Sequence, residues 1–403
     1  MSLRYIAGLV GKAPTVVGPV GGEGGSASGA WNLSSQANLQ ALGSWPQSIQ
    51  FGQLWSTGNN STGQLGLGNL TYKSSPNQVG SLTNWLNVAG GYAFTLATQT
   101  NGTLWAWGSN SQGQLGLGAV GSYSSPKQVG SLTNWAVVAA PTGGANFSAA
   151  IKTNGTLWTW GLNSSGQLGD NSTTNRNSPV QVGTLTTWNV VDLGQNWMVA
   201  VQKDGTLWAW GNNSQGQLGL GNITTYSSPK QVGILTNWIS VAAGQYFCTA
   251  IKTDGTFWSW GEGTSGKLGL GNTTSYSSPK QVGALTTWSR HNCGNNHVLA
   301  ITTSNILWSW GRNDLGQLGL NNFTYYSSPK QVGSSSWSKV SAGGRNSNGI
   351  TTSGTLWSWG SNGTGQGGLG DQTYRKTPAQ VGALTTWLKV STAYVDMYPI
   401  KSP

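Results

Sequence analysis

Charge is scarce in this sequence. Only 7% of its 403 residues are Asp, Glu, Lys or Arg, and nine acids stand against 20 Lys plus Arg. So few carboxylates leave little from which to build a glycosidase-type acid pair. Asp204 and Asp254 occupy turn signals, Asp170, Asp314 and Asp371 fall in Gly-rich loops, and Glu23 lies in a linker, so Asp192, Glu262 and Asp396 are left without an obvious mate. Cysteine is limited to Cys248 and Cys293, too few for a disulfide framework. His291 and His297 are the sole histidines, and neither stands in a nucleophile-elbow context. Cys293 and His297 are four residues apart, but no second Cys or His pair completes a metal site, and they read as structural. No run of about 18 apolar residues occurs, which excludes a helical membrane span. The apolar stretch from Tyr5 to Val10 is interrupted by Gly8, Gly11, Lys12 and Pro14 before it reaches the length of a signal core. The Gly-rich phrases lack a following Gly-Lys-Ser/Thr, so they are not phosphate loops. Catalytic, cofactor-binding and metal residues are therefore all expected to be absent. The net charge of +11 is spread at one or two basic residues per repeat, without a run of four, and direct nucleic-acid binding is not expected.

What the chain has is glycine, tryptophan and repetition, with 62 Gly and 23 Trp. The phrase Leu/Phe-Trp-x-x-Gly begins at Leu54, Leu104, Leu157, Leu207, Phe257, Leu307 and Leu356, at spacings of 50, 53, 50, 50, 50 and 49. A lone Trp marks each copy as well, at Trp85, Trp135, Trp188, Trp238, Trp288, Trp337 and Trp387. Aromatics at fixed repeat positions are what stacked units bury, so tryptophan is read as scaffold.

The period inside one copy is that of strands. Val199 to Lys203 runs into Asp204-Gly205, a two-residue turn that needs positive φ, and then into Thr206 to Trp210. Further strands are expected at Pro229 to Val232 and at Trp238 to Ala242. Four short strands per unit of about fifty residues fit a β-propeller blade. The first copy lacks the lone-Trp strand, and the segment from Trp387 to Ile400 supplies it. An all-β, seven-bladed propeller closed by strands from both chain ends is predicted over residues 48–403, preceded by a short irregular segment, 1–47. In that segment Gly18 to Gly29 reads as a linker, and Asn32 or Ser34 as the cap of a short helix.

Gly211-Asn212-Asn213-Ser214-Gln215-Gly216-Gln217-Leu218-Gly219-Leu220-Gly221, followed by Ser228-Pro229-Lys230-Gln231-Val232, resembles the repeat of the regulator of chromosome condensation family. The resemblance covers residues 48–401 and implies a seven-bladed propeller that serves as a scaffold; known members include a guanine-nucleotide exchange factor and ubiquitin adaptors. The N-terminal segment is similar to a leader of tailed-bacteriophage virion proteins, through Ser26-Ala27-Ser28-Gly29-Ala30-Trp31-Asn32-Leu33-Ser34, Gln36 and Gly43-Ser44-Trp45-Pro46.

A binding surface is expected where the copies differ. One ring, in the loops before the Ser-Pro strand, carries Tyr72, Tyr123, Tyr226, Tyr276, Tyr325, Tyr326 and Tyr374 among Asn and Thr, a composition suited to sugars or a protein partner. Its near-periodicity also fits a structural role. A second ring follows the lone-Trp strand and holds Tyr92, Ala145, Gln195, Tyr246, Asn295, Arg345 and Tyr394.

Together these features predict a non-enzymatic protein of a phage virion. Residues 1–47, with Trp31, Leu33 and Trp45 as the anchor, would dock on other virion proteins. The propeller would project in several copies as a tail fibre, appendage or capsid decoration, contacting a glycan or protein of the host surface. The alternative is a cellular protein-interaction scaffold of the chromosome-condensation repeat family, such as a guanine-nucleotide exchange factor.

Overall fold

The computed structural model describes residues 50–403. The predicted linker, the short helix and the anchor residues Trp31, Leu33 and Trp45 lie outside the described residues.

Strands form where the repeat calls for them. Trp197–Gln202 and Leu207–Gly211 pair antiparallel around the Asp204-Gly205 turn, with Gly205 at φ 79°. The second strand of each blade is buried at every residue in six of the seven cases, because it is covered by a neighbouring blade on both faces. The third strand is buried except at its first Trp, which is half-buried, while its second is fully buried.

Five sheets have four strands, and one has seven. The seven-stranded sheet is two blades joined by the 17-residue strand Tyr326–Ala342, which pairs as outer strand with Ile306–Gly311 and as inner strand with Asn346–Thr351. Continuity arises there because Gly333-Ser334-Ser335-Ser336-Trp337 is one residue shorter than its counterpart Gly283-Ala284-Leu285-Thr286-Thr287-Trp288. The chain thus builds seven blades, numbered here from blade 1 (85–128) through blade 6 (337–380). Blade 7 combines Trp387–Thr392 and Asp396–Lys401 with Gln53–Gly58 and Lys73–Gln78. Leu54 pairs with Ile400 and Gly58 with Asp396, which is the closure by both chain ends that the repeat offset predicts. The first strand of each blade touches the first strand of the next, and that of blade 7 touches that of blade 1.

Tryptophan bolts the blades together. The second Trp of each repeat donates its indole N–H to the backbone oxygen of the preceding blade's loop: Trp107 to Gln64, Trp160 to Gln114, Trp210 to Gln167, Trp260 to Gln217, Trp310 to Lys267 and Trp359 to Gln317, at 2.8–3.0 Å. The glycine two residues after the accepting residue is obligatory. A Cβ on Gly269 would come within 2.7 Å of the Trp310 Nε1. At the closing junction Thr57 replaces Trp, and its hydroxyl donates to Lys73 O and Gly365 O at 2.6 and 3.0 Å. The lone Trp lies edge-on to the other indoles of its blade, as in Trp238 with Trp258 and Trp260 at 5.9 and 6.2 Å. All seven lone indole N–H groups are buried without a hydrogen bond, and these ring contacts supply their surroundings.

Candidate functional site

Antiparallel order sends the first-to-second turn and the third-to-fourth loop of every blade to one face, and the second-to-third hairpin to the other. On the first, the loop face, each blade makes the same backbone bond across its two loops: Ser109 N to Ala93 O, Leu162 N to Asn146 O, Asn212 N to Asn196 O, Glu262 N to Tyr246 O, Arg312 N to Asn296 O and Ser361 N to Arg345 O at 2.8–2.9 Å, and Asn59 N to Val395 O at 3.3 Å in blade 7. A uniform backbone frame therefore displays non-uniform side chains.

The first strands present their outer edges to a central channel, and edge groups need partners. Side chains four residues after the lone Trp provide them across blades. Asp192 Oδ2 accepts from Ala243 N at 2.9 Å, Asn292 Oδ1 from Ala342 N at 2.7 Å, Ser341 Oγ from Thr392 N at 2.9 Å and Ser391 Oγ from Gly90 N at 3.2 Å. Asp192 also accepts from Leu193 N, yet burial outweighs both bonds and raises its carboxyl to about 6. These residues line a polar cavity of about 220 Å³. Blade 2 carries three extra residues between Trp135 and Phe147, which is the repeat spacing of 53. The insertion puts Thr142 in the channel wall and packs the Gly143 backbone against Gln195 of blade 3 and Gln245 of blade 4.

The structure sorts both predicted rings into registers. Among the tyrosines, Tyr123, Tyr226, Tyr276 and Tyr326 start fourth strands. A lysine four residues on stands over each ring at 5.4–5.6 Å. Asn222, Asn272 and Asn322 donate to the hydroxyls of Tyr226, Tyr276 and Tyr326. In blades 2 and 6 the same position holds Arg176 and Arg375, paired with Asp170 and Asp371. Tyr72, Tyr325 and Tyr374 stand one residue earlier and are exposed, on the consecutive blades 7, 5 and 6. In the second ring, Tyr92, Gln195, Asn295 and Tyr394 surround the channel mouth, with Tyr92 edge-on to Tyr394 at 5.0 Å. Tyr246 and Arg345 fall one position later, beside the residue that follows the third strand.

That shift brings together a constellation the repeat alignment had not assembled. In blade 4, Lys267 takes the place that Gln holds in the other blades, and its fully buried ammonium binds Glu262 and, at 2.7 Å, Asn296 Oδ1 of blade 5. Burial lowers the Lys267 pKa, and Glu262 opposes that shift. Arg312 pairs with Asp314 at 2.6 Å, a contact that raises the guanidinium pKa, with Tyr325 also beside it. The charge of Arg345 in blade 6 reaches Asp314, whose carboxyl is held below its usual value. The first-listed influence on Asp314 is burial, which raises it, but the bonds from Arg312 and Gln317 prevail. The legible signs of this cluster were the lysine that replaces glutamine, the unmated Glu262 and Arg345 of the second ring.

Beneath the loops, blades 1–4 place Phe94, Phe147, Trp197 and Phe247 at the start of the second strand, where blades 5–7 place His297, Asn346 and Asp396. His297 Nε2 contacts Ser347 Oγ at 2.9 Å, and burial lowers its pKa to about 3, so the ring is neutral. Asp396 is fully buried with neither oxygen hydrogen-bonded. Asn59 N and the Gln64 amide stand close enough to oppose the effect of burial, but their hydrogen bonds go to Val395 O and Asn59 Oδ1. Desolvation accordingly drives its pKa well up. His291 is held on both nitrogens at 2.8 Å by Ser240 and Thr249, and Thr249 also touches Cys293 Sγ, as a partly buried structural linkage between blades 4 and 5. No group of three or more His, Cys, Asp or Glu among the described residues is arranged to hold a metal. No helix among them is long and apolar enough to cross a membrane. Apolar grooves of about 310–400 Å³ lie at three blade junctions, but each repeats the same Leu, Trp, Val and Pro lining.

The RCC1-like domain model matches residues 140–395, and the regulator of chromosome condensation (RCC1) repeat model matches residues 52–98 and 101–151. No curated protein sequence matches the chain. Among solved structures, human WBSCR16 is 19% identical, covering 87% of this chain and 99% of its own, with a TM-score of 0.78. Prp20p from Saccharomyces cerevisiae, described with its binding properties to Gsp1p and histones, is 22% identical over 91% and 94% of the two chains, with a TM-score of 0.77. Yeast RCC1 (Prp20) bound to Kap60 is 20% identical over 100% and 96%, with a TM-score of 0.77. At these identities the likeness shows the fold. The predicted role is corrected by these matches: the family model that covers most of the chain is the RCC1-like domain, and the chains that share the fold nearly end to end include human and yeast proteins, so the phage-virion reading, with its tail-fibre or capsid-decoration role and virion location, is overturned. The reading failed because it rested on some twenty leader residues, whereas the relationship is carried by the repeats.

Proposed function

We propose that this chain, which belongs to the RCC1-like domain family, is a protein-interaction scaffold without catalytic chemistry, and that it engages its protein partner through the loop face of blades 4–6. One observation carries this reading. Glu262 and Arg312 stand where the other blades carry Asn59, Ser109, Leu162, Asn212 and Ser361, Lys267 where they carry Gln, Asp314 where they carry Ser61, Ser111, Ser164, Ser214, Thr264 or Gly363, and Arg345 where they carry Ala93, Asn146, Asn196, Tyr246, Asn296 or Val395. The repeat tolerates neutral residues there, so the framework does not require the charges. The partly exposed Arg312–Asp314 pair contributes little to stability, and the buried Lys267 occupies a place that a neutral Gln fills in the other blades, whereas complementary charge steers and orients a protein partner. The exposed Tyr325 and Tyr374 add aromatic surface of the kind enriched in interfaces.

Site-specific photo-cross-linking tests the assignment. A photoreactive side chain at Tyr325 is expected to give discrete protein adducts in cell extract, while the same group at Ser122, the equivalent place in blade 1, gives none. Equal labelling from both positions would overturn it. The exchange-factor activity implied by the family resemblance is a special case of this scaffold role. Accelerated release of labelled nucleotide from a small GTPase, lost on Arg312→Ser with Arg345→Asn, would specify it.

A further inference from the structure

The wall of the central channel departs from the repeat at one charge. Four residues after the lone Trp, blades 1, 2 and 4 carry Ala89, Ala139 and Ala242, while blade 3 carries Asp192 and blades 5–7 carry Asn292, Ser341 and Ser391. The three alanines show that this register does without a side-chain bond in three blades. Asn292, moreover, makes the same bond to the next blade that Asp192 makes. The framework therefore requires no carboxylate here. Asp192 is nonetheless the one charged side chain among the described residues that line the cavity of about 220 Å³.

Unspent acceptors and donors face each other across this cavity. Among the described residues Asp192 forms no ion pair. Its two oxygens accept one backbone N–H each, from Leu193 and Ala243, which leaves a lone pair on each. The side chain is partly accessible from the channel. In a ring of seven, blades 6 and 7 stand opposite blade 3, and there Ser341 and Ser391 line the same cavity. Each hydroxyl oxygen accepts a backbone N–H, from Thr392 and Gly90, and neither O–H donates to a described residue. The Asn292 amide nitrogen, also on the cavity, makes no bond to a described residue either. Val88, Val138, Val191, Val340 and Val390 supply an apolar lining between the two sides.

We propose that the central channel is a binding site for a small hydroxylated amine, its ammonium on Asp192 and its hydroxyl oxygens facing Ser341, Ser391 and Asn292. An ammonium brings three donors and the missing countercharge to the carboxylate, in a charge-assisted bond that the low dielectric of the ring strengthens. A hydroxyl oxygen accepts from neutral donors without burying a second charge, and the valines pack on the carbon skeleton. A divalent metal ion fits less well, because one carboxylate among hydroxyls and an amide falls short of the oxygen set such an ion collects. A cavity of about 150 Å³ holds a benzene ring, so this one admits a compact organic molecule and excludes a folded partner. The site goes beyond the loop-face reading and does not rest on it.

Isothermal titration of the full chain with serinol, in phosphate buffer at about pH 7, tests the site, since the amine is then protonated and Asp192 ionised. Saturable binding at one site per chain is expected. Glycerol, the same skeleton with a hydroxyl in place of the ammonium, should bind about tenfold more weakly or worse. Asp192→Asn, which installs the residue of blade 5, should weaken serinol by about tenfold or more, and Ser391→Ala, which installs that of blade 1, by about threefold. Asp204→Asn removes a carboxylate at an exposed hairpin turn, where Asn101 and Asn154 accept the same threonine bonds, and should leave the affinity unchanged. Thermal melts verify folding of the variants, and the glycerol comparison with Ser391→Ala decides the question if Asp192→Asn does not fold. Absence of saturable serinol binding by the unaltered chain, equal affinity for glycerol, or unchanged affinity in folded Asp192→Asn would overturn the proposal.

Discussion

Blades 3 and 4 share a backbone and differ in chemistry. Asn212 N reaches Asn196 O at 2.8 Å in blade 3, and Glu262 N reaches Tyr246 O at 2.9 Å in blade 4. Trp260 bonds to Gln217 O at 2.9 Å, and Trp310 bonds to Lys267 O at 3.0 Å. In one blade the loop carries amides, and in the next a buried lysine with a glutamate. Framework bonds use backbone oxygens and indoles, so they are indifferent to whether the residue is Gln or Lys. The comparison separates positions that hold the ring together from positions free to be used for recognition.

Breaking a shared position should have the largest effect. Trp260→Ala removes a fully buried indole, its bond to Gln217 O and its edge contact with Trp238. A loss of about 3–5 kcal/mol is expected in urea unfolding. At the closing junction the bolt is a hydroxyl, and Thr57→Val, which deletes the donor to Lys73 O and Gly365 O, should cost about 1–3 kcal/mol.

Asp396 sharpens the comparison because blade 6 offers its neutral counterpart, Asn346. The carboxyl has a folded pKa above its unfolded value of 3.8, so the folded state holds the proton more tightly. The resulting contribution to stability is intact below about pH 4 and declines as pH rises towards the folded pKa. Asp396→Asn should therefore melt like the unaltered chain near pH 4 and be more stable by about 1–3 kcal/mol at pH 8. In the channel wall, Asp192→Asn copies Asn292. Its advantage over the unaltered chain should grow between pH 4 and about 6 and then level off, as seen by thermal melts across that range.

Most of the framework was legible in the sequence. The Trp spacing, the Asp-Gly and Asn-Gly turns and the offset between the chain ends specify blades and closure because each expresses a local, repeated requirement. The 53-residue spacing announced an insertion, but only the stacked blades place Thr142 at the channel. Tyr246 and Arg345 were found, though in a register shared with Tyr92, because short turns give no internal marker of position. Asp192, Asn292, Ser341 and Ser391 lie 100, 49 and 50 residues apart and looked unrelated. They meet at one cavity only when successive first strands close into a ring. The burial of Asp396, by contrast, was legible, since the same position holds an aromatic ring in blades 1–4.

The central claim is that the ring is built from what the blades share and that partners are recognised by what blades 4–6 do not share. It is tested most directly by converting Glu262→Asn, Lys267→Gln, Arg312→Ser and Arg345→Asn together, each a residue found at that place in another blade. Stability by urea unfolding and retention of the partner cross-linked at Tyr325 are then measured on the same preparation. Stability within about 1 kcal/mol of the original, with partner retention lost, is the predicted result. Undiminished partner retention by the folded variant would contradict it.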